Sequence, residues 1–151
     1  MTPGDRIQFH YKFIFPNNIV KTFEVELDGQ TLAVQTAPKD SYPEWTRLSH
    51  RQCTNCPLRE ETHPRCPVAQ NLVDIIEFFK HVVSHEEVNV EISTDARTYK
   101  KRTAVQNALS SLIGIYMVTS GCPILDKLSP LVGTHLPFAS LEEPAYRAIS
   151  M

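Results

Sequence analysis

Four cysteines stand at the spacing C-x2-C-x9-C-x55-C, namely Cys53, Cys56, Cys66 and Cys122, and the last three are followed directly by proline. Four thiolates fill the coordination of one tetrahedral zinc or one four-iron cluster, so the chemistry these residues offer is metal binding. The pair Cys53/Cys56 carries most of the signal, because two intervening residues let one tight turn aim both sulfurs at a common ion. A zinc ribbon closes with a second C-x2-C. Here the third cysteine follows ten residues after Cys56 and the fourth lies in another element, so a shared centre has to tie distant parts of the chain together.

Proline suits the first position of a helix, where its missing N–H has no partner anyway. Cys66-Pro67 and Cys122-Pro123 each precede a helical pattern, and Cys56-Pro57 precedes a single turn carrying Glu60 and Glu61. Such positions favour a thiolate and supply amides that tune a cluster. The metal stays open between two. The apolar neighbours Leu58, Val68, Ile124 and Leu125 favour a dry pocket holding a 4Fe-4S cluster on Cys53, Cys56, Cys66 and Cys122. His63 instead gives Zn2+ a compact C-x2-C-x6-H-x2-C set, with His63 in place of Cys122. Against both stands the ordinary behaviour of free cysteine as a small buried hydrophobe. A reactive thiol or a Cys53/Cys56 redox dithiol is a further alternative. The thioredoxin-like version needs a long helix opening at its C-x-x-C, whereas here the helical pattern begins eleven residues after Cys56.

Other chemistry finds little support. There is no G-x-S-x-G, P-loop or G-x-G-x-x-G, and no catalytic residue is assigned. His81 and His85 lie four apart, but the end of a helix accounts for them without a metal. His135 reads as a partly buried structural histidine. Lys100-Lys101-Arg102 is the one basic run, and charges at the end of a strand are ordinarily a solvated face. The net charge of −2, with both signs interspersed, gives no bias toward nucleic acid or an anionic membrane. No stretch has the apolar length of a membrane span. The opening Met-Thr-Pro-Gly-Asp-Arg is polar and has no signal-peptide pattern, so the expectation is a cytoplasmic chain whose thiols stay reduced.

The elements that must position the sulfurs follow from periodicity. At 151 residues the chain reads as a single domain, 1–151, able to bury its own core. Ile7, Phe9, Tyr11, Phe13 and Phe15 alternate with polar residues as a strand, Pro16-Asn17-Asn18 turns, and Ile19, Phe23, Val25 and Leu27 continue as a second strand ended by Asp28-Gly29. Leu32 to Val34 extends the hairpin toward a third strand. Pro38 to Glu44 is a polar linker, and 49–66 is a cysteine loop without periodicity, a length that calls for something to tie it down. From Pro67 the period becomes helical, with Val68, Leu72, Ile75, Ile76, Phe79 and Val83 on one stripe. Val88, Val90 and Ile92 form another strand, with Thr98 to Lys101 returning beside it. Thr103 is read as the N-cap of a second helix with Val105, Leu109, Leu112, Tyr116 and Met117 on its apolar side, and Gly121 suits its end. Residues 130–151 are helical or irregular, broken by Pro137 and Pro144. The expected class is α+β, an antiparallel sheet of four to five strands covered by helices on one face.

The segments EWTRLSHRQCTNCPL, THPRCPVAQNLVDIIEFF, KRTAVQNALSSLIGIYMVTSGCPILDKLSP and HLPFAS together resemble an uncharacterised family of small bacterial proteins, a domain of unknown function, over residues 7–151. The resemblance brings no activity with it. It does imply further helical sequence beyond the position of Met151, in which case the 130–151 region is incomplete and a partner could complete it. The functional expectation is therefore an iron–sulfur protein for electron transfer or redox sensing. The alternative is a zinc-stabilised module whose work is binding a protein partner.

Overall fold

A computed structural model describes residues 6–134. Strands β1 (Arg6–Ile14), β2 (Val20–Asp28), β3 (Glu87–Ser93) and β4 (Thr98–Ala104) form one antiparallel sheet in the order β2-β1-β3-β4. Alternation decides which face is covered. Phe9, Tyr11 and Phe13 of β1 face the same side as Phe23, Val25 and Leu27 of β2 and Val88, Val90 and Ile92 of β3, and all are buried. Their partners are Ile75 and Phe79 from one helix and Val105, Ala108, Leu112 and Ile115 from another. Burying each large side chain is worth about 1.5–3 kcal/mol, and this face carries the fold. The other face is polar and laced with ion pairs, among them Arg6–Glu26 at 2.8 Å and Arg102–Glu87 at 2.8 Å.

The turns follow the expected chemistry. Asn18 takes φ 64, a left-handed conformation that asparagine tolerates, and its N–H donates to Phe15 O. Asp28 ends β2 by accepting the N–H groups of Gln30 and Thr31 on Oδ1, and those two bonds hold its carboxyl below the usual range. The expected third strand is reduced to one bridge, Leu27 with Val34.

The helices depart from expectation in two places. The stripe from Val68 to Val83 is not one helix but two short ones, α1 (Pro67–Asn71) and α2 (Val73–Phe79). At the step between them Leu72 donates to Ala69 O, three residues back instead of four, while Asn71 folds its side-chain amide onto Pro67 O. Ile76 and Val83, counted in that stripe, are exposed. Helix α3 (Val105–Thr119) starts directly from β4, so its N-cap is Ala104, and Thr103 is a buried strand residue that accepts a hydrogen bond from Asn107. Met117, expected on the apolar side of α3, is exposed, while Ala108 and Ile115 take the buried positions. Gly121 follows the cap at φ +96, where glycine carries no Cβ penalty, and a 3-10 helix, Leu125–Thr134, packs back on α3. His135, Pro137, Pro144 and the remaining C-terminal residues lie outside the described residues.

Candidate metal centre

The cysteine loop is closed at its neck. Segments 46–48 and 64–66 run antiparallel, joined by the bridge between Arg47 and Arg65, by Leu48 N–H donating to Pro64 O at 3.0 Å, and by Cys66 N–H donating to Thr46 O at 2.8 Å. Beneath the neck Thr46 is fully buried; its hydroxyl donates to Pro43 O at 2.6 Å and accepts from Arg65 Nη1 at 2.6 Å. The Arg65 guanidinium lies 5.4 Å from the centre of the Tyr42 ring. The Tyr42 hydroxyl in turn accepts the Lys39 N–H, and that bond, helped by Gln70, lowers the phenol below its ordinary pKa. Arg65 thus binds Pro43, Thr46 and Tyr42 into one support directly before Cys66. Periodicity has nothing to say about a lone arginine in a loop, and only its place beside Cys66 marks it.

Cys66 is the N-cap of α1, its carbonyl accepting Gln70 N–H at 2.9 Å and its thiol making no capping bond. Cys53 and Cys56 span the expected tight turn, with Cys56 N–H donating to Cys53 O at 3.0 Å. Cys122 begins the last segment, its carbonyl accepting Asp126 N–H at 2.8 Å. His63 is exposed and its Nδ1 pairs with the Thr62 hydroxyl at 3.0 Å. All four cysteines are free thiols; Cys53 is exposed and the other three are half-buried. None behaves as a core hydrophobe.

Two of the sulfur-bearing elements come near each other. Helix α1 packs against both the Glu44–Thr46 turn and α3. The link is reinforced where Thr36 donates to Asn71 Oδ1 and Val34 N–H donates to Thr119 O, which holds the end of α1 and the end of α3 to the same stretch of chain. The loop tip is not drawn into this arrangement. Among the described residues no three histidine, cysteine or acidic side chains are gathered so as to hold one ion. The dry pocket is also absent from these positions: Leu58, Val68 and Leu125 are half-buried and Ile124 is 37% exposed.

Outside the loop, sequence reading missed a cleft of about 870 Å3 beside β2, bounded by the stretch from Gln35 to Lys39 and by α1 and α2. Tyr116 also lines it, with its pKa raised by burial and by the nearby Asp74 charge. The basic run lies on β4, where Lys100 pairs with Glu91 at 3.1 Å and Arg102 with Glu87 at 2.8 Å. Among the described residues no helix is long and apolar enough to cross a membrane.

No curated protein and no solved structure matches this chain. A family model does match, over residues 9–151 and therefore across all four cysteines, the neck and the sheet from Phe9 of β1 onward. The chain belongs to the family described as a domain of unknown function, DUF6901.

Proposed function

We propose that this chain is a small metal-binding protein whose centre forms when the loop carrying Cys53 and Cys56 closes onto Cys66 and Cys122. The observation that carries the reading is the exposure of the loop. From Ser49 to Pro64 only Cys56 and Leu58 are even half-buried, and Leu48 and Thr46, just before it, are buried. A segment that removes so little surface from water has little to offset roughly 1–2 kcal/mol of backbone entropy per ordered residue. Thiolate ligation supplies that compensation, and it explains why a loop so poor in burial is rich in sulfur.

Four cysteines suit zinc or a cluster; read as an iron–sulfur cluster, the centre would supply one-electron chemistry. The exposed Cys53 would leave one edge open to solvent, and that suits sensing of oxidants better than insulated electron transfer. Filling the site requires the loop tip to move, since the donors do not converge as folded. The neck stays fixed and acts as the hinge base.

A second reading has its own support. Cys53, Cys56, His63 and Cys66 all belong to the loop and its neck, so a zinc ion could close that set without recruiting α3. The metal would then be structural and the work would lie in binding a protein partner.

Anaerobic purification, an absorption spectrum and elemental analysis separate the two. Iron with sulfide and visible absorption supports the cluster, while one zinc in colourless protein supports the module. Cys122→Ser abolishes metal in the first case and spares it in the second, where His63→Ala abolishes it. Folded protein carrying neither metal, and taking up neither on reconstitution, overturns both.

A further inference from the structure

The sheet ends in two edges, and they are guarded differently. On β4 the run Lys100, Lys101, Arg102 places charge along the edge, a common deterrent to a further strand. On β2 the protection is partial. Phe15 N–H donates to Ile19 O, and this sets the register in which odd-numbered residues of β2 exchange hydrogen bonds with β1. Val20, Thr22, Glu24, Glu26 and Asp28 therefore turn their N–H and C=O groups away from the sheet.

At one end the chain covers these groups itself. Asp28 N–H donates to Ala33 O, Gln35 N–H donates to Glu26 O, and Leu27 pairs with Val34 in antiparallel sense. Past Gln35 the chain leaves the edge, drawn off by the Thr36 bond to Asn71 and by the Lys39–Asp74 ion pair at 2.8 Å. Among the described residues the backbone groups of Thr22 and Glu24 have no partner, and the cleft of about 870 Å3 runs alongside them. Its floor holds Phe23, Ile75 and Phe78. Lys21 Nζ sits 5.3 Å from the centroids of both phenylalanine rings and has no carboxylate partner among the described residues.

We infer that this cleft receives an extended segment of a partner protein, which adds to β2 as an antiparallel strand. Thr22 and Glu24 repeat a donor and an acceptor at a spacing of roughly 6.8 Å, the two-residue repeat of an extended main chain. The chain's own residues 33–35 already occupy the same edge in the same sense, so the partner continues a pairing the fold begins. Side chains of the added strand alternate between the covered and open faces. The residue opposite Phe23 lands on the aromatic floor and must be apolar. Two residues later in the antiparallel direction comes the residue opposite Lys21, where a carboxylate meets the unpaired ammonium. The recognised pattern is an apolar residue, any residue, then an acidic one. This reading does not depend on the metal.

The test uses the full chain, 15N-labelled, titrated with the fluorescein-labelled heptapeptide Thr-Thr-Val-Thr-Glu-Thr-Thr. Saturable binding with downfield shifts of the Thr22 and Glu24 amides supports the inference. N-methylation of either threonine flanking the valine should weaken binding about tenfold, the effect of one main-chain hydrogen bond, while N-methylation of the valine, whose N–H points away from β2, should change it less than about twofold. Thr22→Pro removes only an outward N–H on an edge strand and should abolish binding. Lys21→Glu should weaken this peptide and favour the same peptide with lysine in place of glutamate; that pair and the methylated peptides decide the matter if Thr22→Pro does not fold. Absence of shifts at Thr22 and Glu24 at millimolar peptide, or binding indifferent to the site of methylation, overturns it.

Discussion

Along β1 and the residue after it every second side chain from Phe9 to Phe15 is buried, each touching the next layer of rings or aliphatic groups, whereas along the loop from Ser49 to Pro64 only Cys56 and Leu58 are even half-covered. The sheet is held by area removed from water. The loop is held by its neck, where Arg65, Thr46 and the backbone bonds of Leu48 and Cys66 close a ring of chain around nothing that is itself buried. The contrast teaches that burial orders the sheet, while the loop has only its neck to order it among the described residues, and there the proposed metal would have most to add.

The largest effect expected on the sheet side is Phe13→Ala. Phe13 is fully buried and meets Phe79 at 5.1 Å and Phe23 at 6.0 Å between ring centroids, both edge-on. Emptying that position should cost about 3–5 kcal/mol in denaturant unfolding. Next comes the neck. Arg65→Met removes the guanidinium over Tyr42 and the donor to Thr46 and Pro43, leaving the buried Thr46 hydroxyl without its donor, and should cost about 1–3 kcal/mol. Limited trypsin digestion should show cleavage at Arg51 and Arg59 accelerating in that variant. A neck variant as stable as the parent, with unchanged cleavage, would mean the loop is held from elsewhere.

The two regions were not equally legible. The strands declare themselves because a period of two is imposed by the pleat and then by burial, so Phe9 to Phe15 and Val88 to Ile92 give away both element and facing. The helices were half legible: the apolar stripe after Pro67 is buried at Ile75 and Phe79 but exposed at Ile76, and the Asn71 side-chain bond to Pro67 O that accompanies the step at Leu72 leaves no periodic trace. Thr103 carries the residue type of a cap, yet burial against the sheet holds it in the strand, a tertiary effect that outranks local preference. In the loop the relation is reversed. Cysteine spacing announces a chemistry without announcing a shape, and the supports that do exist, Thr46 and Arg65, come from isolated polar residues. The open edge of β2 was hidden for a related reason, since it depends on where residues 36–39 depart and not on β2 itself.

A smaller effect probes how polar groups behave inside the sheet layer. Tyr11 is fully buried with its hydroxyl 2.9 Å from Ser111 Oγ, and burial pushes its pKa far above the ordinary value despite that bond. The folded chain therefore keeps the proton at a pH where the unfolded tyrosine, near about 10, has lost it. Stability from this group is complete below that pH and declines as pH rises beyond it. Tyr11→Phe should cost about 1 kcal/mol at neutral pH and flatten the alkaline decline, with Tyr116 sustaining what remains. Unfolding midpoints at several alkaline pH values measure both.

The smallest effect is the most pointed. Cys53 is exposed, and beyond the turn its carbonyl closes with Cys56 it is held by no other bond among the described residues. Cys53→Ser preserves the backbone turn and exchanges one exposed polarizable atom for another polar one. In metal-free protein the change should stay within about 0.5 kcal/mol, the range of surface substitutions away from packed features. If Cys53 is a ligand as proposed, the same exchange in metal-loaded protein would remove it, and the stabilisation gained by loading the parent should be largely lost. The comparison between sheet and loop depends on that asymmetry. If Cys53→Ser cost the metal-free chain as much as Arg65→Met, the sulfur would already be part of a packed contact, and the loop would belong to the same class of structure as the sheet.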